Sequence, residues 1–247
     1  MNRFRRRVPH PRRFGGERLD VILVLLLTGG AGMVDAAAFL GLGNVFAGNM
    51  TGNVLILGMG TAGGAGMPVA GPIAAFLGFL AGATAAGAFL RRYSGRWARE
   101  ILACLGFGAV LLLVCALLVA LGDPARHRIG VTTAAIAACA MGIQAAAARK
   151  LDVTDLTTVV VTVTLTKFAA ELGTRGGWAA LANRRSAAVV CIALGAAVGA
   201  LLERCGLGWV FAAAAVVMVG AAVVGGASIS TPAGGSRSAL RGRGGAG

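Results

Sequence analysis

A chain of 247 residues that is 57% hydrophobic and only 13% charged, with mean hydropathy +0.81, is too poor in charge for a soluble domain, in which about a quarter of residues are charged. It has to spend most of its length in lipid. The formal charge of +14 comes without aromatic interleaving or a soluble basic domain, which excludes nucleic acid and directs the arginines to anionic membrane lipid.

The chain opens on a basic arm, residues 1–18, with seven arginines, expected to be disordered. It is not expected to be a cleavable leader, because the apolar run after it is too long. A single membrane domain, 19–226, follows, and residues 227–247 form a second disordered basic tail rich in Gly, Ser and Arg. A helix crossing a core of about 30 Å needs about 20 apolar residues. Six such spans fit: Leu19 to Leu42, Val69 to Leu90, Ile101 to Leu121, Ile129 to Ala148, Ala187 to Leu202 and Leu207 to Val224. The expected fold is therefore all-α, a polytopic membrane helix bundle.

The first span is not built as a plain anchor. Its apolar run to Leu27 breaks into Thr28-Gly29-Gly30-Ala31-Gly32 and then carries Asp35. A carboxylate near mid-bilayer costs about 2.5–3.5 kcal/mol on insertion scales, so such groups are usually retained for a pathway or a site. Asp35 is the one acid expected inside a span. It either caps or pairs at a helix break or takes part in binding and proton coupling.

Two further stretches are apolar but peculiar. Val45 to Gly60 contains Asn49-Met50-Thr51-Gly52-Asn53, and Val153 to Leu172 contains Asp155 with Thr157, Thr158, Thr162, Thr164 and Thr166. Asn49, Thr51 and Asn53 suit either a local turn that satisfies its own backbone or a ladder of neutral donors and acceptors for a solute. Thr158, Thr162 and Thr166 are spaced by four and share a helix face, either lining a pore or bonding their own helix. Gln144, in the fourth span, can reach across to a neighbouring helix.

Charge decides the count of crossings. With six spans and a cytoplasmic N-terminus, 20 of the 23 Lys+Arg fall on one side, leaving Arg126, Arg128 and Arg204 on the other. That asymmetry is what the positive-inside rule requires of a bacterial inner-membrane protein with both termini cytoplasmic. The two peculiar stretches are then re-entrant or half-helical, and irregular backbone at that depth needs a protein-lined or wet cavity.

The halves form a faint three-plus-three repeat. Gly32 and Gly142 lie 110 apart, Gly78-x-x-x-Gly82 recurs as Gly195-x-x-x-Gly199 at 117, and Thr51 precedes Thr164 by 113. Three spans per half give an inverted repeat, a common transporter plan. The paired glycines are expected at close helix contacts, within the chain or at a homo-oligomer seam. Gly29, Gly32, Gly52 and Gly142 are expected as hinge or packing positions.

Gly29-x-x-Gly32-x-x-Asp35-Ala36-x-x-Phe39, followed by Val45-Phe46-x-x-Asn49-Met50-Thr51-Gly52-Asn53, resembles the signature of the YoaK-type family of bacterial integral membrane proteins, a domain of unknown function. Met141-Gly142-Ile143-Gln144 and the following Asp155-Leu156-Thr157-Thr158 and Thr162-x-Thr164-Leu165-Thr166 are similar to its second signature, without the glycine many members carry between Thr162 and Thr164. The resemblance implies a multi-span membrane protein and no particular substrate.

Catalytic machinery is not expected. His10 and His127 lie in the arm and a loop, Cys104, Cys115, Cys139, Cys191 and Cys205 form no C-x-x-C pair, and no phosphate-cradling loop occurs, so neither a metal nor another cofactor is expected. The expectation is a secondary transporter or channel-like permease for a small molecule or ion, coupled to protons through Asp35, with Asn49, Thr51, Asn53, Gln144, Asp155, Thr158, Thr162 and Thr164 along its pathway. The alternative is a non-transporting membrane scaffold or assembly protein.

Overall fold

The computed structural model describes residues 14–64, 66–93, 99–124, 126–151, 166 and 184–227. Its elements are α1 (Phe14–Gly41), α2 (Met50–Thr61), α3 (Ala70–Leu90), α4 (Arg99–Leu121), α5 (His127–Lys150), α6 (Arg184–Glu203) and α7 (Leu207–Ala227). No strand occurs among the described residues. All except α2 are long and apolar enough to cross a membrane, and these six match the expected spans. Asp155, Thr158, Thr162 and Thr164 lie outside the described residues.

Helix ends follow local chemistry. Pro72 sits in the first turn of α3, where backbone N–H groups have no helical partner to lose. Arg149 and Lys150 close α5 and oppose the negative end of its dipole. Gly43 ends α1 at φ +85°, and the Asn44 N–H donates back to the Phe39 carbonyl at 3.1 Å, a left-handed helix stop that glycine adopts without steric cost. At its other end α1 starts at Phe14, so residues 14–18 of the expected arm are helical: once nucleated, a helix continues beyond its apolar run.

Interhelical packing follows the small residues. α1 lies against α6 and α3 against α5; α4 and α7 pack on each other and on α5 and α1 respectively. A Cβ at Gly32 would overlap the Ile192 carbonyl, and one at Gly142 would overlap the Phe79 carbonyl. In lipid, where apolar surface gives no hydrophobic gain on helix association, such backbone proximity is the main source of attraction. Gly78, Gly82, Gly195 and Gly199 thus pack within the chain.

These contacts carry the repeat. Exchanging α1 with α5, α3 with α6 and α4 with α7 turns the α1–α6 contact into α5–α3 and the α1–α7 contact into α5–α4, and leaves α4–α7 unchanged. Gly32 and Gly142, 110 residues apart, meet Ile192 and Phe79, which are 113 apart. The register differs from the sequence reading by one helical turn. Gly195 lies on the Gly29 backbone as Gly82 lies on Cys139, 110 residues from Gly29, so Gly82 and not Gly78 is the counterpart of Gly195. Abundant glycine gives the motif several alignments, and only the helix crossing selects one.

Leu105, Leu112, Val34 and Phe211 are fully enclosed at the centre. Large apolar side chains cover the outside instead: Leu113 and Leu117 on α4, Leu194 and Leu201 on α6, Val216 and Val223 on α7 are all exposed. An apolar exterior of this extent would make a soluble protein aggregate, and lipid is its solvent.

Candidate functional site

After its stop at Gly43 the chain turns back toward the bundle. Gly48 comes to rest on Asp35, with a Cβ at Gly48 lying 3.5 Å from either carboxylate oxygen. Asp35 stands six residues before the end of α1, about 9 Å inside it at 1.5 Å per residue. Asp35 Oδ1 accepts hydrogen bonds from the N–H groups of Ala47 at 2.9 Å and Gly48 at 2.6 Å. Among the described residues no cation pairs with it. The carboxylate anchors a turn that folds back onto α1.

The Asn-Met-Thr-Gly-Asn string locks that turn to α2. Asn49 caps α2 by accepting from the Gly52 N–H at 3.2 Å. Asn53, 1% exposed, brackets the backbone of Phe46: its Oδ1 accepts from the Phe46 N–H at 2.8 Å and its Nδ2 donates to the Phe46 carbonyl at 2.7 Å. The Phe46 ring stacks on Phe39, centroids 4.9 Å apart, and occupies the space a side chain at Gly52 would need. Thr51 is exposed. Val45 to Thr61 is thus a short non-helical entry, bent at Ala47 and Gly48, followed by the 12-residue α2, with Val54, Leu55 and Met59 on its outer side.

Beneath Gly48 lies a cavity of about 660 Å³ between α1, α3, α5 and α6. Val24, Thr28 and Ala31 line it from α1, on the stripe that one further turn brings to Asp35. Phe79, Ala83 and Gly87 line it from α3, Met141 and Gln144 from α5, and Ala188 and Ile192 from α6. Arg91, Arg149 and Lys150 border its opposite end. Gln144 crosses the helix boundary, its Nε2 donating to the Leu27 carbonyl at 3.0 Å.

The structure therefore brings Asp35, Asn49 and Asn53 together around one turn and sets Gln144 on the cavity wall below it. Asp35 and Asn53 reach the cavity only through the turn they hold. Asp20, at the margin of the first span, is 5% exposed and makes a second buried acid, near the basic end of α1. Sequence reasoning assigned Arg91, Arg149 and Lys150 to topology alone. Their common position at one end of α3 and α5 is the signal that links them to the cavity.

Six long apolar helices with a seventh, shorter one among the described residues define a polytopic helical membrane protein. The chain belongs to the family described as protein of unknown function (DUF1275), which it matches over residues 23–224. It is 30% identical, over 159 residues, to the UPF0700 transmembrane protein YoaK of Bacillus subtilis (strain 168), covering 64% of this chain and 68% of that protein. No solved structure matches.

Proposed function

We propose that this protein is a secondary permease of the bacterial inner membrane, passing a small solute through the space between α1, α3, α5 and α6. The observation that carries the reading is the cavity itself, bordered at one end by Arg91, Arg149 and Lys150 and at the other by Gly48, whose N–H donates to Asp35. By the positive-inside rule the basic end is cytoplasmic, as are both termini. The chain then stands in an inward-facing arrangement. The glycine-packed pairs α1/α6 and α3/α5 are the stiff units, and the exchange symmetry between them supplies the opposite, outward-facing arrangement when they rock.

Asp35 couples this motion to protons. An ionised carboxylate accepts both amides of the turn strongly; protonation removes the charge that strengthens those bonds. A proton arriving at Asp35 loosens the cap over the cavity, and its departure re-forms it. Chemistry on the solute plays no part in this reading, which is that of a non-enzyme.

Accessibility tests it without knowledge of the solute. In right-side-out and inverted vesicles, the Ala145→Cys variant should take up one equivalent more of a membrane-impermeant maleimide than the parent chain, from the basic side only. Adding Asp35→Asn should make that position reactive from both sides and remove the dependence of labelling on pH. No labelling of Ala145→Cys from either side, in monodisperse protein, would overturn the permease. The scaffold alternative is favoured by one observation, that the polar atoms of Asn53 are satisfied within the chain, and a sealed Ala145 would select it.

A further inference from the structure

The cavity has a chemical polarity that its walls define. Arg91, Arg149 and Lys150 border one end, from the C-terminal ends of α3 and α5, and among the described residues none of the three side chains has an ion-pair or hydrogen-bond partner. No acidic side chain lines the cavity among the described residues. Arg92, next in the chain, and Arg99, at the start of α4, do not border it, so these three stand apart from the general basic excess of that side. The walls above are apolar, from Leu27, Phe79, Met141 and Ile192. At mid-depth the Gln144 amide nitrogen donates to the Leu27 carbonyl, which fixes the amide's orientation and leaves Oε1 as an acceptor without a partner among the described residues.

Resting on the permease reading, we infer that the cavity takes organic anions: a molecule with a carboxylate, sulfonate or phosphate at the mouth and an apolar body inside. Three cations at the rim of a low-dielectric cleft focus their field along it and concentrate anions there. Two arginines suit bidentate contact with planar or tetrahedral oxyanions, while Lys150 adds a point charge. The apolar walls exclude a small hydrated inorganic ion, whose desolvation they would not compensate. A volume of about 660 Å³ lies within the ordinary range for metabolite-sized ligands. An N–H or O–H on the far end of the ligand meets Gln144 Oε1.

The same chemistry is offered by a free metabolite and by the headgroup end of an anionic phospholipid, and the experiment separates them. Full-length protein in zwitterionic nanodiscs is titrated with phenylbutyrate, phenylbutylamine and phenylbutanol, which share a body and differ in charge, with thermal unfolding as the readout. Phenylbutyrate should stabilise most, and in Arg91→Gln/Arg149→Gln/Lys150→Gln its apparent affinity should fall about tenfold, a few-fold per cation. Arg92→Gln/Arg99→Gln, with a comparable loss of charge away from the cavity, should bind as the parent does. Stabilisation by phosphatidylglycerol but not by phenylbutyrate, lost in the triple variant, supports the inference with lipid as the source. Equal stabilisation by all three compounds, or retention of the anion preference in the triple variant, overturns it. Maleimide labelling of Ala145→Cys in the same preparation keeps the two ideas apart: labelling without anion preference sinks the anion assignment alone, whereas absence of labelling sinks the permease.

Discussion

At the scale of single residues, the turn at 45–49 shows how few side chains can hold backbone at bilayer depth. Asn53 satisfies both the N–H and the carbonyl of Phe46, so Asn53→Ala orphans two groups where water is scarce. At about 1–3 kcal/mol for each unsatisfied group, it should lower stability by about 2 kcal/mol or more, read as a reduced unfolding midpoint in mild detergent. Asp35 gives a graded test. Asp35→Asn keeps an oxygen for the Ala47 and Gly48 amides and should be tolerated, whereas Asp35→Ala leaves both without an acceptor and should destabilise as strongly as Asn53→Ala. Gly52→Ala places a methyl group about where the Phe46 ring lies. It should cost about 1–3 kcal/mol, and Phe46→Leu in the same chain should recover part of that, a coupling that a double-mutant cycle measures.

Among whole elements, stability lies in the close crossings. A Cβ at Gly82 would overlap the backbone of Cys139, and helix backbone cannot move aside as a side chain can. Gly82→Ala should therefore separate α3 from α5 and lower the unfolding midpoint. Gly106, on α4, has nothing within 4 Å of such an atom. Gly106→Ala should leave the midpoint unchanged or raise it, by up to about 1 kcal/mol of helix propensity. Reversal of that order would show that the helix pairs do not cross at these glycines. α2 behaves differently from the six long helices: at 12 residues, about 18 Å, it is too short to span, and its cap comes from the turn that it locks. Loss of the Asn49 cap should therefore loosen the turn and α2 together.

For the molecule as a whole, the two halves are equivalent in their helix contacts and unequal in chemistry. The position 110 residues after Asp35 is Ala145, a cavity-lining residue, so the repeat carries one carboxylate where symmetry would give two. Both termini should lie on one side, since the six spans among the described residues are an even number. Carboxy-terminal fusions to a cytoplasm-dependent fluorescent protein and to a periplasm-dependent phosphatase should be active for the first only, and phosphatase activity would reverse the assignment of the basic end.

The amino-acid order by itself determined the class and the six spans and singled out Asp35, Asn49, Asn53 and the glycine pairs as candidates, because hydropathy over about 20 residues and polar groups inside such runs are one-dimensional signals. Which glycine matches which, and that Asn53 addresses backbone seven residues earlier, were decided by tertiary packing. Hydrogen-bond partners and helix registers depend on where distant segments meet, and an amide that closes a turn reads the same along the chain as one that faces a solute. The cavity is likewise a property of four helices at once: Val24, Phe79, Gln144 and Ile192 carry no common pattern in the chain, and only the crossings at Gly32 and Gly142 bring them around one space.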